Sequence, residues 1–160
     1  MISRRDVLRA SAAGLILPGT AVFAQQDQRP AALSADLVKE FVGVSHGNFD
    51  RVKELLDANP TLLNAAWDWG GGDFELAIAA AGHVGSREIV ELLISRGATT
   101  TLFVHAMMGD FAIVKAMLDR NPNLIDSKGP HGITLERHAE KGGEKAKEVL
   151  DYLKTLKKLI

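Results

Sequence analysis

Residues 85–98, GSREIVELLISRGA, carry the clearest structural signal in this 160-residue chain. A glycine opens the stretch, and apolar side chains such as Ile89, Val90 and Leu93 then recur three and four residues apart. This spacing is typical of a helix with one broad apolar stripe. The stretch therefore predicts a glycine turn that leads into a helix, and that helix needs another surface to cover its stripe.

The same pattern recurs on both sides of this stretch. Residues 47–56, GNFDRVKELL, are similar to residues 109–118, GDFAIVKAML, and both copies run on into an Asn-Pro turn. Every matched pair of positions is 62 residues apart, as Gly47 and Gly109 are. A fourth, more charged copy occupies residues 142–153. A register this constant indicates internal repeats.

A short apolar or alanine-rich segment precedes the glycine of each copy. We predict a first helix in each of these segments, at residues 37–44, 76–81, 102–108 and 134–139. The repeating unit is then helix, glycine turn, helix and loop. Each helix pair leaves an apolar face that only a neighbouring pair can cover. The predicted fold class is therefore all-α, with about four stacked helix pairs.

Residues 85–98 resemble the second half of an ankyrin repeat, whose pattern is Gly-x-x-Glu-Ile-Val-x-Leu-Leu-Leu-x-x-Gly-Ala. The resemblance covers residues 34–156 and is to a divergent, exported bacterial subgroup of the family. It implies an ankyrin-like helix-turn-helix repeat solenoid with capping first and last repeats. It also implies a concave groove lined by the first helices, and protein–protein interaction as the usual role.

The loops depart from the ankyrin pattern. Gly85 and Gly109 are only 24 residues apart, against an ankyrin period of about 33, so residues 98–101 are too short for a β-hairpin. The loops at residues 64–75 and 126–133 are long by comparison. The Thr-Pro-Leu-His signature of the family is also missing. We therefore predict that long and short loops alternate along the stack.

Residues 1–24 predict a cleavable twin-arginine signal peptide. Ser3, Arg4 and Arg5 open it, and an apolar stretch follows at residues 10–24. That stretch is shorter than the roughly 20 residues a membrane-spanning helix needs. We expect a periplasmic protein, with no membrane contact after cleavage. The predicted organisation is a signal peptide at 1–24, a flexible lead-in at 25–33, the ankyrin-like repeat domain at 34–156 and a C-terminal tail at 157–160.

Composition narrows the classes of function. The chain has no cysteine, which excludes disulfides, thiolate metal ligands and cysteine nucleophiles. Its formal net charge is −1, so it lacks the basic surface typical of nucleic-acid binding. No nucleophile elbow or phosphate-binding loop is present. We predict no catalytic residues and no cofactor.

The segment WDWGGGDFE at residues 67–75 is the most distinctive loop. Trp67 and Trp69 offer large contact areas, and the glycines let a backbone approach closely, as in a recognition loop. Alternatively, the tryptophans pack over helix ends and the glycines serve only the turn. We expect one tryptophan to be buried and the other exposed. Asp73 and Glu75, as loop carboxylates, are expected to be solvated.

The histidines leave two interpretations open. His83, His105 and His138 lie near the ends of predicted first helices and could point into one groove. His131 could enter the same groove from a loop. They could cap helices and contact a partner, or they could bind a metal ion. No pair within a helix has chelate spacing, so we assign no metal ligand and keep a metal or small-ligand site only as the alternative. The residues of that alternative site are His83, His105, His131 and His138.

The predicted function is a non-enzymatic, monomeric protein-interaction module that binds a protein or peptide in its groove and long loops. An accessory factor for a periplasmic redox or stress enzyme is a further possibility. The predicted partner-binding residues are Trp67, Trp69, Asp73, Glu75, His83, His105 and His131.

Overall fold

The computed structural model describes residues 30–159, so the predicted signal peptide and most of the lead-in lie outside the described residues. The described chain is mostly helical, which confirms the predicted class, and it includes one two-stranded sheet. The α-helices of residues 30–159 are α1 Ala35–Val44, α2 Phe49–Ala58, α3 Ala77–Val84, α4 Arg87–Ser95, α5 Leu102–Met108, α6 Phe111–Arg120, α7 Leu135–Lys141 and α8 Lys147–Lys157. The strands are β1 Ala66–Asp68 and β2 Phe74–Leu76. Short 3-10 helices occupy Pro60–Asn64, Pro122–Asp126, Pro130–Gly132 and Gly143–Ala146.

Local sequence explains where these helices begin and end. The side chain of Thr101 accepts a hydrogen bond from the Val104 backbone N–H and so caps α5, and Ser34 caps α1 in the same way. Helices α3 and α5 end at Gly85 and Gly109, whose φ angles are 86° and 81°. Glycine adopts this left-handed conformation without the strain that a Cβ adds, so the two turns need it.

The helices pack as pairs in sequence order. Each odd-numbered helix contacts the even-numbered helix that follows it, and the odd-numbered helices also contact one another in order from α1 to α7. Helix α7 contacts α3 as well as α5, so the last odd-numbered helix packs against two others. One group of buried apolar side chains centres on Phe41, Ile78 and Leu93, and a second group includes Leu118 and Leu135.

The two copies 62 residues apart have the same local structure. The Asn-Pro turns lead into matching 3-10 helices at Pro60–Asn64 and Pro122–Asp126. After the first of these, β1 and β2 form an antiparallel hairpin in which Trp67 pairs with Glu75. After the second, Lys128 and Thr134 form a single antiparallel bridge. Residues 98–101 contain no strand, so the helix pair α5–α6 has no hairpin in front of it.

Within residues 30–159, no helix combines the length and the apolar character that crossing a membrane requires.

Candidate metal centre

Four side chains from separate parts of the chain meet at one point. His46 follows α1, Glu75 lies in β2, His83 lies near the end of α3, and His131 lies in the loop before α7. Each offers one ligand atom, and these four atoms all lie within 4.8 Å of one another. The structure therefore brings three imidazoles and one carboxylate together from positions spread over residues 46 to 131.

The distances between these groups are short. The Nε2 atom of His83 lies 2.9 Å from Oε1 of Glu75, and the Nε2 atom of His131 lies 3.3 Å from the same oxygen. The Nε2 atom of His46 lies 3.5 Å from Oε2 of Glu75 and 3.1 Å from Nε2 of His83. All three imidazoles thus present the same nitrogen to one carboxylate.

Strand alternation turns Glu75 inward. Successive side chains of a strand point to opposite faces; accordingly Phe74 is 64% exposed whereas Glu75 is fully buried. Trp69, across the hairpin, donates its indole N–H to Oε2 of Glu75 at 2.7 Å. This hydrogen bond leaves Oε1 as the carboxylate oxygen that faces His83 and His131.

The Oε1 atom of Glu75 is buried and has no hydrogen-bond partner among the described residues. The His83 Nε2 atom is close enough to form an ion pair with it, but a ring N–H there would not be aligned on the oxygen. Leaving a buried polar atom without a partner costs about 1–3 kcal/mol, and more for a charged group. A positive charge at the centre, on an imidazolium or a metal ion, would stabilise this oxygen.

The outer nitrogens of two imidazoles are held by acceptors. Nδ1 of His46 lies 3.0 Å from the Gly43 carbonyl oxygen, and Nδ1 of His131 lies 2.7 Å from Oδ2 of Asp73. A carbonyl and a carboxylate can only accept, so each Nδ1 carries the proton. In the neutral ring, Nε2 then has a free lone pair directed at the centre, which is the form that binds a metal ion.

Asp73 holds His131 in an unusual backbone conformation. Oδ1 of Asp73 accepts the His131 backbone N–H at 2.8 Å, while Oδ2 lies next to the ring. His131 has a φ angle of 59°, in the left-handed region that non-glycine residues rarely adopt. The backbone hydrogen bond from His131 is the main cause that lowers the pKa of Asp73, so this carboxylate stays ionised.

The Glu75 carboxylate is also favoured in its charged form. Burial, the largest single effect, raises the pKa of Glu75, but the close approach of the His83 ring, the hydrogen bond from Trp69 and the positive charge that His46 and His83 can carry together outweigh it. The pKa of Glu75 is therefore lowered. An ionised carboxylate surrounded by imidazole nitrogens gives a buried site that favours a cation.

The spacing fits a metal ion of the first transition row. Four tetrahedral ligands about 2.05 Å from a zinc ion are separated by roughly 3.3 Å. Three contacts among the proposed ligand atoms run from 2.9 to 3.3 Å, and all four ligand atoms lie within 4.8 Å of one another. Imidazole and carboxylate ligands suit zinc, copper(II), iron(II) and nickel ions. The side chains of His46 and His131 are 30% and 32% exposed, so one side of the centre is open to solvent.

The two other histidines of the alternative site lie outside the cluster. Both ring nitrogens of His105 have partners, with Nδ1 2.8 Å from Asp110 and Nε2 2.9 Å from Thr100. His138 is fully buried, and its Nδ1 lies 2.8 Å from the Thr134 carbonyl oxygen. Burial lowers the pKa of His138 and favours its neutral form. Its ring centre lies 6.5 Å from that of His83, so it packs near the cluster.

Two expectations about the hairpin need correction. Glu75 is fully buried rather than solvated, because it points inward from β2. Neither tryptophan is fully buried: Trp67 is half-buried with Lys39 Nζ 5.6 Å from its ring centre, and Trp69 is 39% exposed. Of the predicted partner-binding residues, Asp73, Glu75, His83 and His131 thus take part in one polar cluster together with Trp69.

The alternative metal site predicted from the sequence did not include His46 or Glu75. His46 stands next to Gly47, the glycine that opens the first copy of the repeat, and so lies near the end of a first helix as His83 does. For Glu75, strand alternation was the available signal, because a strand in the segment before α3 would place it opposite Phe74. The chain matches no family model, no curated protein and no solved structure.

Proposed function

We propose that this chain is a metal-binding protein that holds one divalent transition-metal ion, with zinc as the reference case. Nε2 atoms of His46, His83 and His131 and the Oε1 atom of Glu75 are the ligands. One observation carries the proposal: a buried carboxylate oxygen without a hydrogen-bond partner faces imidazole nitrogens at metal-ligand spacing.

The groups around the ligands support this function. In metal sites, a ligating imidazole usually donates its other N–H to a carboxylate or a backbone carbonyl, which fixes the ring and makes it more basic. His131 and Asp73 form such a pair, and so do His46 and the Gly43 carbonyl. Trp69 adds a donor to the non-ligating oxygen of Glu75. Three of the four ligands therefore have an orienting partner.

A role in protein binding is the second candidate, because Phe74 and Trp69 expose aromatic surface on the hairpin that also carries Glu75. We retain for this candidate the ankyrin-like stack and the periplasmic location inferred from the sequence. The successive contacts of α1, α3, α5 and α7 support a stack, in which α7 also packs against α3. A partner would then recognise the hairpin surface beside the metal ion.

Zinc titration of the purified protein, after chelator treatment and dialysis, tests the metal-binding function. We expect one zinc ion per chain by elemental analysis. The Glu75→Gln variant keeps an acceptor for Trp69 but removes the charge, and we expect it to weaken zinc binding at least tenfold. The His83→Ala variant should have a similar or larger effect.

His105→Ala is the matched control, since His105 has both ring nitrogens engaged outside the cluster. It should bind zinc as the unmodified protein does. Substoichiometric zinc in the unmodified protein, or an equal loss in His105→Ala and His83→Ala, would contradict the assignment. Without metal, the cluster would be an imidazolium–carboxylate network.

A further inference from the structure

A cleft separates the hairpin β1–β2 from the loop at residues 128–134. Its volume is about 400 Å³, within the range of small-molecule sites. The short connection at residues 98–101 lies between these two loops in sequence and has no hairpin. The cleft therefore opens where a third hairpin would stand if the connection were as long as its neighbours.

The inner surface of the cleft is apolar. Leu76 and Ala79 come from the start of α3, and Leu102 and Phe103 from the start of α5. Phe74 and Pro130 lie on opposite loops, and Phe74 is largely exposed. A bound molecule with an apolar body would remove this surface from water.

Lys128 and Asp73 are the charged residues that line the cleft. Both oxygens of Asp73 accept hydrogen bonds from His131, through its backbone N–H and its ring, so this carboxylate is held by the loop that carries His131. Lys128 is exposed and takes part in no ion pair within residues 30–159. The cleft therefore combines an apolar surface with one exposed cationic side chain that has no ion-pair partner within residues 30–159.

We propose that this cleft binds a small organic anion, a carboxylate with an apolar chain or ring. The apolar body lies against Leu102, Phe103 and Ala79, and the carboxylate pairs with Lys128. A neutral molecule of the same shape gains only the apolar contact, so charge provides the selectivity.

Asp73 connects the proposed metal centre to the cleft. Asp73 lines the cleft and also holds His131, which the proposed function makes a metal ligand. A metal ion would tie the loop at residues 128–134 to the hairpin through His131 and Glu75 and so fix both sides of the cleft. This step rests on the proposed function. By linkage, zinc and the anion should each strengthen the binding of the other by the same factor.

Octanoate is a suitable probe, with 1-octanol as the neutral comparison. We expect the amide signals of Gly72, Thr101 and Gly129 to shift in NMR titrations of the full purified protein with sodium octanoate. Lys128→Gln should weaken octanoate binding at least fivefold, whereas Lys128→Arg and the distant control Lys154→Gln should not. Ala79→Leu, which fills the inner surface, should weaken octanoate and octanol alike. Zinc should raise octanoate affinity at least threefold.

Equal octanoate affinity in Lys128→Gln and the unmodified protein would overturn the inference. So would shifts confined to the apolar pocket around Leu118, Tyr152 and Leu156 instead of this cleft. Elemental analysis of the same samples separates the two proposals. Stoichiometric zinc without octanoate binding would contradict only the proposal about the cleft. Octanoate binding without zinc would contradict the metal centre and the coupling between the two sites.

Discussion

Trp69 determines which oxygen of Glu75 faces the histidines. Its indole N–H reaches Oε2 at 2.7 Å and holds the carboxylate in one rotamer. A buried carboxylate without this donor could rotate and would leave a second oxygen without a partner. Trp69 is also 39% exposed, so it lies between the cluster and solvent. It is therefore a positioning residue for the metal ion as well as part of the exposed hairpin surface.

The Trp69→Phe variant tests this positioning role. Phenylalanine keeps an aromatic ring but has no N–H to donate, so we expect zinc affinity to fall by about tenfold with the stoichiometry unchanged. Competition with a chromophoric chelator measures the affinity. Trp67→Phe is the control, since Trp67 forms no side-chain hydrogen bond in the described part of the chain. An equal change in the two variants would show that general hairpin packing, and not the N–H of Trp69, sets the affinity.

At the scale of elements, a glycine at a helix end lets a neighbouring backbone segment pack closely. Gly109 ends α5 with a φ angle of 81°, and a Cβ there would collide with backbone atoms of Lys145 and Ala146. Gly97, which follows α4, has a similar φ angle of 90° but open space around it. A side chain at either position would therefore suffer the strain of a positive φ angle. Only a side chain at Gly109 would also collide with a neighbouring backbone segment.

Comparing Gly109→Ala with Gly97→Ala isolates the cost of that collision. Each substitution places a side chain at positive φ, which costs about 1 kcal/mol or somewhat more. Gly109→Ala must also displace a backbone segment, so we expect it to lower the free energy of unfolding by at least 2 kcal/mol more than Gly97→Ala does. Urea denaturation measures both. Equal losses would mean that the segment at Lys145 moves away at little cost.

Local signals were enough to predict most elements but not the site. The turns at Gly85 and Gly109 could be predicted because glycine itself favours the left-handed conformation that ends a helix. The metal-ligand cluster forms only because β2, α3 and the loop before α7 pack together next to the turn after α1. Its members are His46, Glu75, His83 and His131. No spacing within one helix encodes this, because the ligands come from four elements. The interaction of His131 with Asp73, 58 residues away, is equally a product of tertiary packing.

At the scale of the whole molecule, the proposed metal ion acts as a cross-link. Its ligands join the turn after α1, the hairpin, α3 and the loop before α7, so one ion ties together segments from residues 46 to 131. The unfolded chain has no such preformed site, and the binding free energy therefore adds to folding stability. Metal removal should accordingly loosen the hairpin and the 128–134 loop together, while α6 and α8, which supply no ligand, respond least.

Zinc at one hundred times its dissociation constant should raise the free energy of unfolding by about 2.7 kcal/mol. For a domain of this size, the melting temperature should rise by roughly 10 °C, and chelation should reverse the rise. At the same zinc concentration, a tenfold loss of affinity in Glu75→Gln should leave at most about half of this shift, roughly 1.4 kcal/mol, whereas His105→Ala should show all of it. Hydrogen exchange on the same samples locates the effect, since protection should increase at residues 66–76 and 128–134 in parallel. An increase at only one of these segments would mean that the ion binds without bridging them, and the cross-link, together with the coupling to the cleft, would then fail.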